Sequence, residues 1–128
     1  MSDLSGDYIR YRIEKSKEAL DDARVLAENA RWNACINRLY YSCYYLVSAL
    51  LLKKGLTVQT HSGMKTQFGL NFVKPGIVSA ENGKLFSDLM DWRQKGDYGD
   101  MYDFDNKTVM PLIGLVQSFI ENIEPLIE

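Results

Sequence analysis

The stretch LYYSCYYLVSALLL, Leu39 to Leu52, runs fourteen residues without one charged side chain. It is bounded by Arg38 on one side and Lys53, Lys54 and Gly55 on the other. The segment predicts a helix from about Asn33 to Lys54 that stops at Gly55, a residue suited to the left-handed C-terminal position. A helix apolar around most of its circumference has to be covered on most sides. It is also too short to cross a bilayer, which takes about 20 apolar residues. The remaining helices must therefore be arranged around it.

Their patterns supply the cover. Ile9, Ile13, Ser16, Leu20, Ala23, Ala27 and Ala30 alternate spacings of four and three, a heptad-like seam. They predict a first helix from about Asp7 to Glu28, with Asp7 as its cap. Thr60 reads as the cap of a short helix from His61 to about Phe72, ended by VKPG. Ser79 reads as the cap of a fourth, with Leu85, Leu89 and Trp92 on its seam and its end near Lys95-Gly96. Residues 96–107 read as a Gly- and Asp-rich loop. A fifth helix begins near Thr108, with Pro111 in its first turn. Its inner stripe is Val109, Leu112, Val116, Phe119, Ile123 and Ile127. No strand pattern, repeat or linker is visible. The expectation is an all-α protein: one domain over residues 1–128, an antiparallel four-helix up-and-down bundle with one extra short helix.

Bulk properties narrow the function. The 128 residues fit one domain, and 46% hydrophobic with 25% charged residues is a globular profile. The net charge of −2 lacks the basic field of a freestanding nucleic-acid binder. The opening MSDLSGDYIRYRIEK is polar and acidic, unlike a signal peptide. Cys35 and Cys43 lie eight positions apart on one helix, about 12 Å of rise, too far to be bridged. They are expected to be buried thiols in a reducing cytoplasm. One histidine rules out a Cys/His zinc set. DFDNKT begins like a calcium loop, but Thr108 stands where glycine is needed and Gly114 where a bidentate Glu is needed. Asp97, Asp100, Asp103 and Asp105 are thus expected to be a solvated acidic loop, with no metal and no cofactor.

Few residues carry chemical potential. Tyr40 and Tyr44 share one helical face, Tyr41 and Tyr45 the next, and core packing with peripheral hydroxyls is their expected role. A base-stacking or dimer surface is the alternative. His61 could act as a base or could be a capping residue. Arg38, beside Asn37 in a largely buried helix, needs a partner. A salt bridge to a loop aspartate or to Glu28 is expected. Arg93 ends an apolar-periodic run and opens RQKGDYGD.

Three blocks, NRLYYSCYYLVSALLLKKGL, THSGMKTQFGLNFVKPG and LMDWRQKGDYGD, closely resemble the HEPN family, above all its small single-domain prokaryotic members. The likeness runs from about Asp7 to Pro125. It implies a helical bundle commonly paired as a homodimer. It also implies a chemistry, since many members are metal-independent ribonucleases, often toxins neutralised by a small nucleotidyltransferase encoded beside them. Their signature is an arginine followed, after four to six residues, by a histidine. Cleavage through the 2′-hydroxyl needs a base for its proton and a cation for the growing phosphate charge. Arg93 and the polar Gln94 fit this pattern. Tyr98 stands in the histidine's place, and only about one tyrosine in a thousand is ionised at neutral pH. In some members a tyrosine two residues beyond the histidine receives AMP from the partner enzyme; Asp100 occupies that place here.

The expectation is therefore a HEPN-type interaction and nucleotide-binding module, partner of a small nucleotidyltransferase in a toxin–antitoxin-like pair, with a degenerate Arg93…Tyr98 motif. The alternative is an active ribonuclease using Arg93 with Tyr98 or His61. Binding is expected of Arg93, Gln94, Tyr98, Tyr102, His61 and Arg38, toward a nucleotide or RNA, with no membrane partner.

Overall fold

The computed structural model of the protein describes residues 3–128, with side chains from residue 5 onward. It contains α1 (Asp3–Glu28), α2 (Trp32–Lys53), α3 (His61–Phe68), α4 (Ala80–Tyr98) and α5 (Asn106–Ile127). A π-helical turn over Gly69–Val73 extends α3. No strand occurs among the described residues, and the architecture is the expected all-α bundle.

Twelve of the 22 residues of α2 are buried, which puts this helix at the centre. It touches α1, α3, α4 and α5. Its closest partner is α1, where small residues face each other. Ser16 donates to the Ser42 carbonyl at 2.7 Å, and the Ser42 hydroxyl donates back to the Ser16 carbonyl at 2.8 Å. Both serines are fully buried, as is Ala23, and Ala19 is nearly so. The reciprocal pair satisfies both hydroxyls and lets two backbones approach where larger side chains would hold them apart. The stripe of α5 is buried throughout as its spacing predicts.

Several boundaries differ from the sequence reading. Asp7 is not a cap: α1 begins at Asp3, and Asp7 pairs with Arg10 one turn on. Ala30 lies beyond α1, with φ +56, and closes the turn into α2 in a conformation usually left to glycine. The Thr60 cap accepts from the Gly63 amide at 2.9 Å and the Ser79 cap from the Asn82 amide at 3.1 Å. Helix α4 does not stop at Gly96. A side chain there would sit 3.2 Å from the Phe104 ring, so this glycine serves close packing and not a turn. Asp97 and Tyr98 are consequently helical. Asp105 accepts from the Thr108 amide at 2.9 Å and starts α5 at Asn106, two residues early, which leaves Pro111 in the second turn.

Asn33 fixes the connection between α4 and α5. Its amide nitrogen donates to the carbonyls of Gly96 (3.3 Å) and Tyr102 (2.7 Å), and its oxygen accepts from the Phe104 amide at 2.9 Å. The start of α2 is thereby tied to the end of α4, where Arg93 lies.

Candidate functional site

The extra turn of α4 changes what the acidic stretch is. Asp97 falls one turn after Arg93 on the same helix, and the carboxylate reaches back to within 3.9 Å of Nη1. That is ion-pair range but longer than a hydrogen bond. Asp97 also accepts from Asn37 Nδ2 at 2.9 Å. The Asn37 oxygen in turn accepts from Arg38 Nε (3.0 Å) and Nη2 (2.8 Å). Among the described residues Arg38 therefore has no aspartate or Glu28 partner of its own. A neutral amide stands between the cation and Asp97, because Asn37 is adjacent to Arg38 and intercepts its fork.

Arg93 is only 7% exposed. Its guanidinium carbon lies 5.0 Å from the Tyr40 ring centroid, 5.8 Å from that of Tyr41 and 6.0 Å from that of Tyr98. Aromatic faces attract such a cation. Its hydrogen bonds, however, are unmade. Among the described residues nothing accepts from any of its donors, and Nε is buried with no partner. A guanidinium carries five N–H donors, and a buried one is costly to leave unpaired.

The only histidine sits on the same aromatic cluster. Tyr40 is fully buried, lies parallel to Phe86, and bonds through its hydroxyl to His61 Nδ1 at 2.5 Å. The imidazole rests 4.9 Å from the Tyr44 ring and 6.1 Å from Tyr41. Burial pushes the Tyr40 phenol well above the usual range, so it keeps its proton. Burial first, and the Arg93 charge second, hold His61 below the ordinary 6.5. The ring is accordingly neutral near pH 7. Tyr40 and Tyr41 each border both Arg93 and His61, so two groups 32 positions apart in sequence share one aromatic floor.

Of the residues expected from sequence, the fold gathers Arg38, His61, Arg93 and Tyr98. Tyr98 remains 71% exposed at the edge. Gln94 points to solvent without a side-chain bond among the described residues. Tyr102 packs edge-on against Phe104 in the loop held by Asn33. Tyr40, expected as core filling, and Asp97, expected as a loop acid, both enter the site. Tyr40 is joined to His61 across a loop, a pairing with no local signal. Among the described residues no three His, Cys, Asp or Glu side chains are placed to hold a metal, and no helix is long and apolar enough to cross a membrane. Cys35 and Cys43 are buried free thiols. The arrangement can bind an anion through Arg93, offer a ring nitrogen at His61, and present aromatic faces between them.

Comparison with known proteins identifies the family. The HEPN domain family model matches residues 9–126. A UPF0332 protein of Thermotoga maritima is 42% identical over 120 residues, which are 94% of this chain and 91% of that one. Two Methanocaldococcus jannaschii proteins are described as candidate toxins. One is 34% identical over 90 residues, 70% of this chain and 67% of its own. The other is 31% identical over 86 residues, 67% of this chain and 58% of its own. With the family match running nearly from end to end of a bundle of the expected kind, the chain belongs to the HEPN domain family.

Proposed function

We propose that this HEPN chain is a binding module of a toxin–antitoxin-like pair. Arg93 and its tyrosines hold the phosphate of a nucleotide, and a small nucleotidyltransferase is the protein partner. The chain works as a cytoplasmic homodimer and does not itself cut RNA efficiently. One observation carries the reading: Arg93, a residue only 7% exposed, makes no side-chain hydrogen bond to the described protein, and its Nε is buried without a partner. A charge so placed is paired poorly by its own fold and well by an incoming phosphate, which accepts at two oxygens together. Tyr98 in the histidine's place removes the usual base. The names of the two M. jannaschii relatives support the toxin association. The test is a thermal-shift and calorimetric titration with ATP, with co-purification of the nucleotidyltransferase encoded beside the chain. Neither a shift nor a complex would end this reading.

A second reading is an active metal-independent ribonuclease. The neutral imidazole on the floor it shares with Arg93 favours it, because a base and a cation are then both present. Induced expression should then arrest growth, and Arg93→Ala should relieve the arrest. A harmless wild type that leaves RNA intact eliminates it.

A further inference from the structure

The Tyr40–His61 bond decides which ring nitrogen of His61 bears the proton. A phenol that stays protonated must place its hydrogen somewhere. Tyr40 is fully buried, so water is not at hand, and among the described residues its hydroxyl has one partner, His61 Nδ1 at 2.5 Å. If the imidazole donated instead, the phenolic hydrogen would be left buried and unpaired, the costly arrangement. Tyr40 therefore donates, Nδ1 accepts, and the proton of the neutral ring resides on Nε2. That nitrogen has no partner among the described residues and is not sealed from solvent.

We infer that His61 serves the site as a hydrogen-bond donor, with Nε2–H free on the Tyr40–Tyr41 floor it shares with Arg93, so that the two together seat one phosphoryl group of a nucleotide. Tyr40 is the positioning residue that locks this tautomer. The inference rests on the binding reading above and sharpens it. A general base at Nε2 needs the opposite tautomer, which the buried phenol opposes. The same contact that holds the ring thus favours retaining an anion over taking a proton from a 2′-hydroxyl. The second donor also explains how a chain whose motif histidine is replaced by Tyr98 keeps a cationic and a polar contact for phosphate.

A single histidine makes the test clean. Long-range 1H–15N ring spectra of the wild-type protein near neutral pH report one imidazole only. The expected pattern is a pyridine-like Nδ1 and a pyrrole-like Nε2; the reverse pattern overturns the inference without any variant. Calorimetry with ATP reads the seat. His61→Gln keeps an N–H donor near Nε2 and has no lone pair of use as a base, so its affinity should stay within about threefold of wild type. His61→Ala should lose about tenfold or more. Equal losses in both variants, or no loss in His61→Ala, would refute a donor role. Wild-type protein that binds no ATP sinks the nucleotide reading itself and the seat with it, and the ring spectrum distinguishes that failure from a wrong tautomer.

Discussion

Arg93→Met asks whether the guanidinium is kept for the fold or for a ligand. Taking such a charge out of water costs several kcal/mol even after relaxation. The buried Nε without a partner adds about 1–3 kcal/mol. Against this stands one carboxylate at 3.9 Å, worth about 4 kcal/mol at an effective dielectric near 20. Three ring contacts contribute about 0.5–1 kcal/mol each. The two sides nearly cancel. Methionine keeps the apolar stem, removes the desolvation cost and leaves Asp97 its bond from Asn37. The variant should therefore range from unchanged to about 2 kcal/mol more stable. At roughly 3–5 °C per kcal/mol, Tm should hold steady or rise by up to about 10 °C. Thermal melts followed by circular dichroism read this, and ATP titration of the same sample should show binding abolished. A loss above about 2 kcal/mol would mean that Arg93 is a structural ion-pair member, and the site argument would fall with it.

Asn33→Ala removes three hydrogen bonds to the loop before α5 and should cost about 2–4 kcal/mol, with hydrogen exchange rising first at 96–105; a shift below 0.5 kcal/mol would show the clamp to be ornamental. Ala30→Gly relieves a left-handed alanine and should gain about 0.5–1 kcal/mol in urea denaturation, net of the added freedom of the unfolded chain; a loss would contradict the turn geometry. His61 supplies a pH dependence. Its folded-state pKa lies below the ordinary 6.5, so below that pH the unfolded chain takes up a proton the folded chain refuses, and stability falls with acidity until the folded value is passed. Tyr40, Tyr41 and Tyr44 face the ring, and the charge that acts on it is that of Arg93. Wild type should thus lose more stability between about pH 7.5 and 5.5 than His61→Gln does, and equal losses would refute the assignment. Tyr98→Phe, altering a residue 71% exposed, should leave Tm unchanged; brisk RNA cleavage by wild type that this substitution silences would overturn the binding reading.

The bundle was legible because its main signals are periodic and local. An uncharged α2 has to be covered, and the stripe on α5 needs only one helix's spacing to be read. Caps at Thr60 and Ser79 are likewise local, since each satisfies amides within three residues. The misread boundaries share a cause. Gly96 looks like a stop from sequence because glycine often ends helices. Its actual role depends on Phe104 approaching from another segment, which no window around residue 96 contains. Ala30 fails in the opposite sense: a good helix former takes the left-handed position because the α1–α2 turn demands it.

The site follows the same division. Arg93 and Tyr98 were visible through a spacing on one helix, with a tyrosine where the family resemblance led to the expectation of a histidine. It could not show that His61 lies across Tyr40 and Tyr41 from the same guanidinium. That juxtaposition is made by the fold, through a bond between a tyrosine that reads as core and a histidine that reads as a helix start. Proximity alone would have suggested a replacement base. The buried phenol supplies the missing constraint, because its hydrogen has one available acceptor and therefore fixes the proton on the far nitrogen. On the proposed reading, what distinguishes binding from cleavage is thus the direction of one hydrogen bond, with Arg93, unpaired at Nε, on the same aromatic floor.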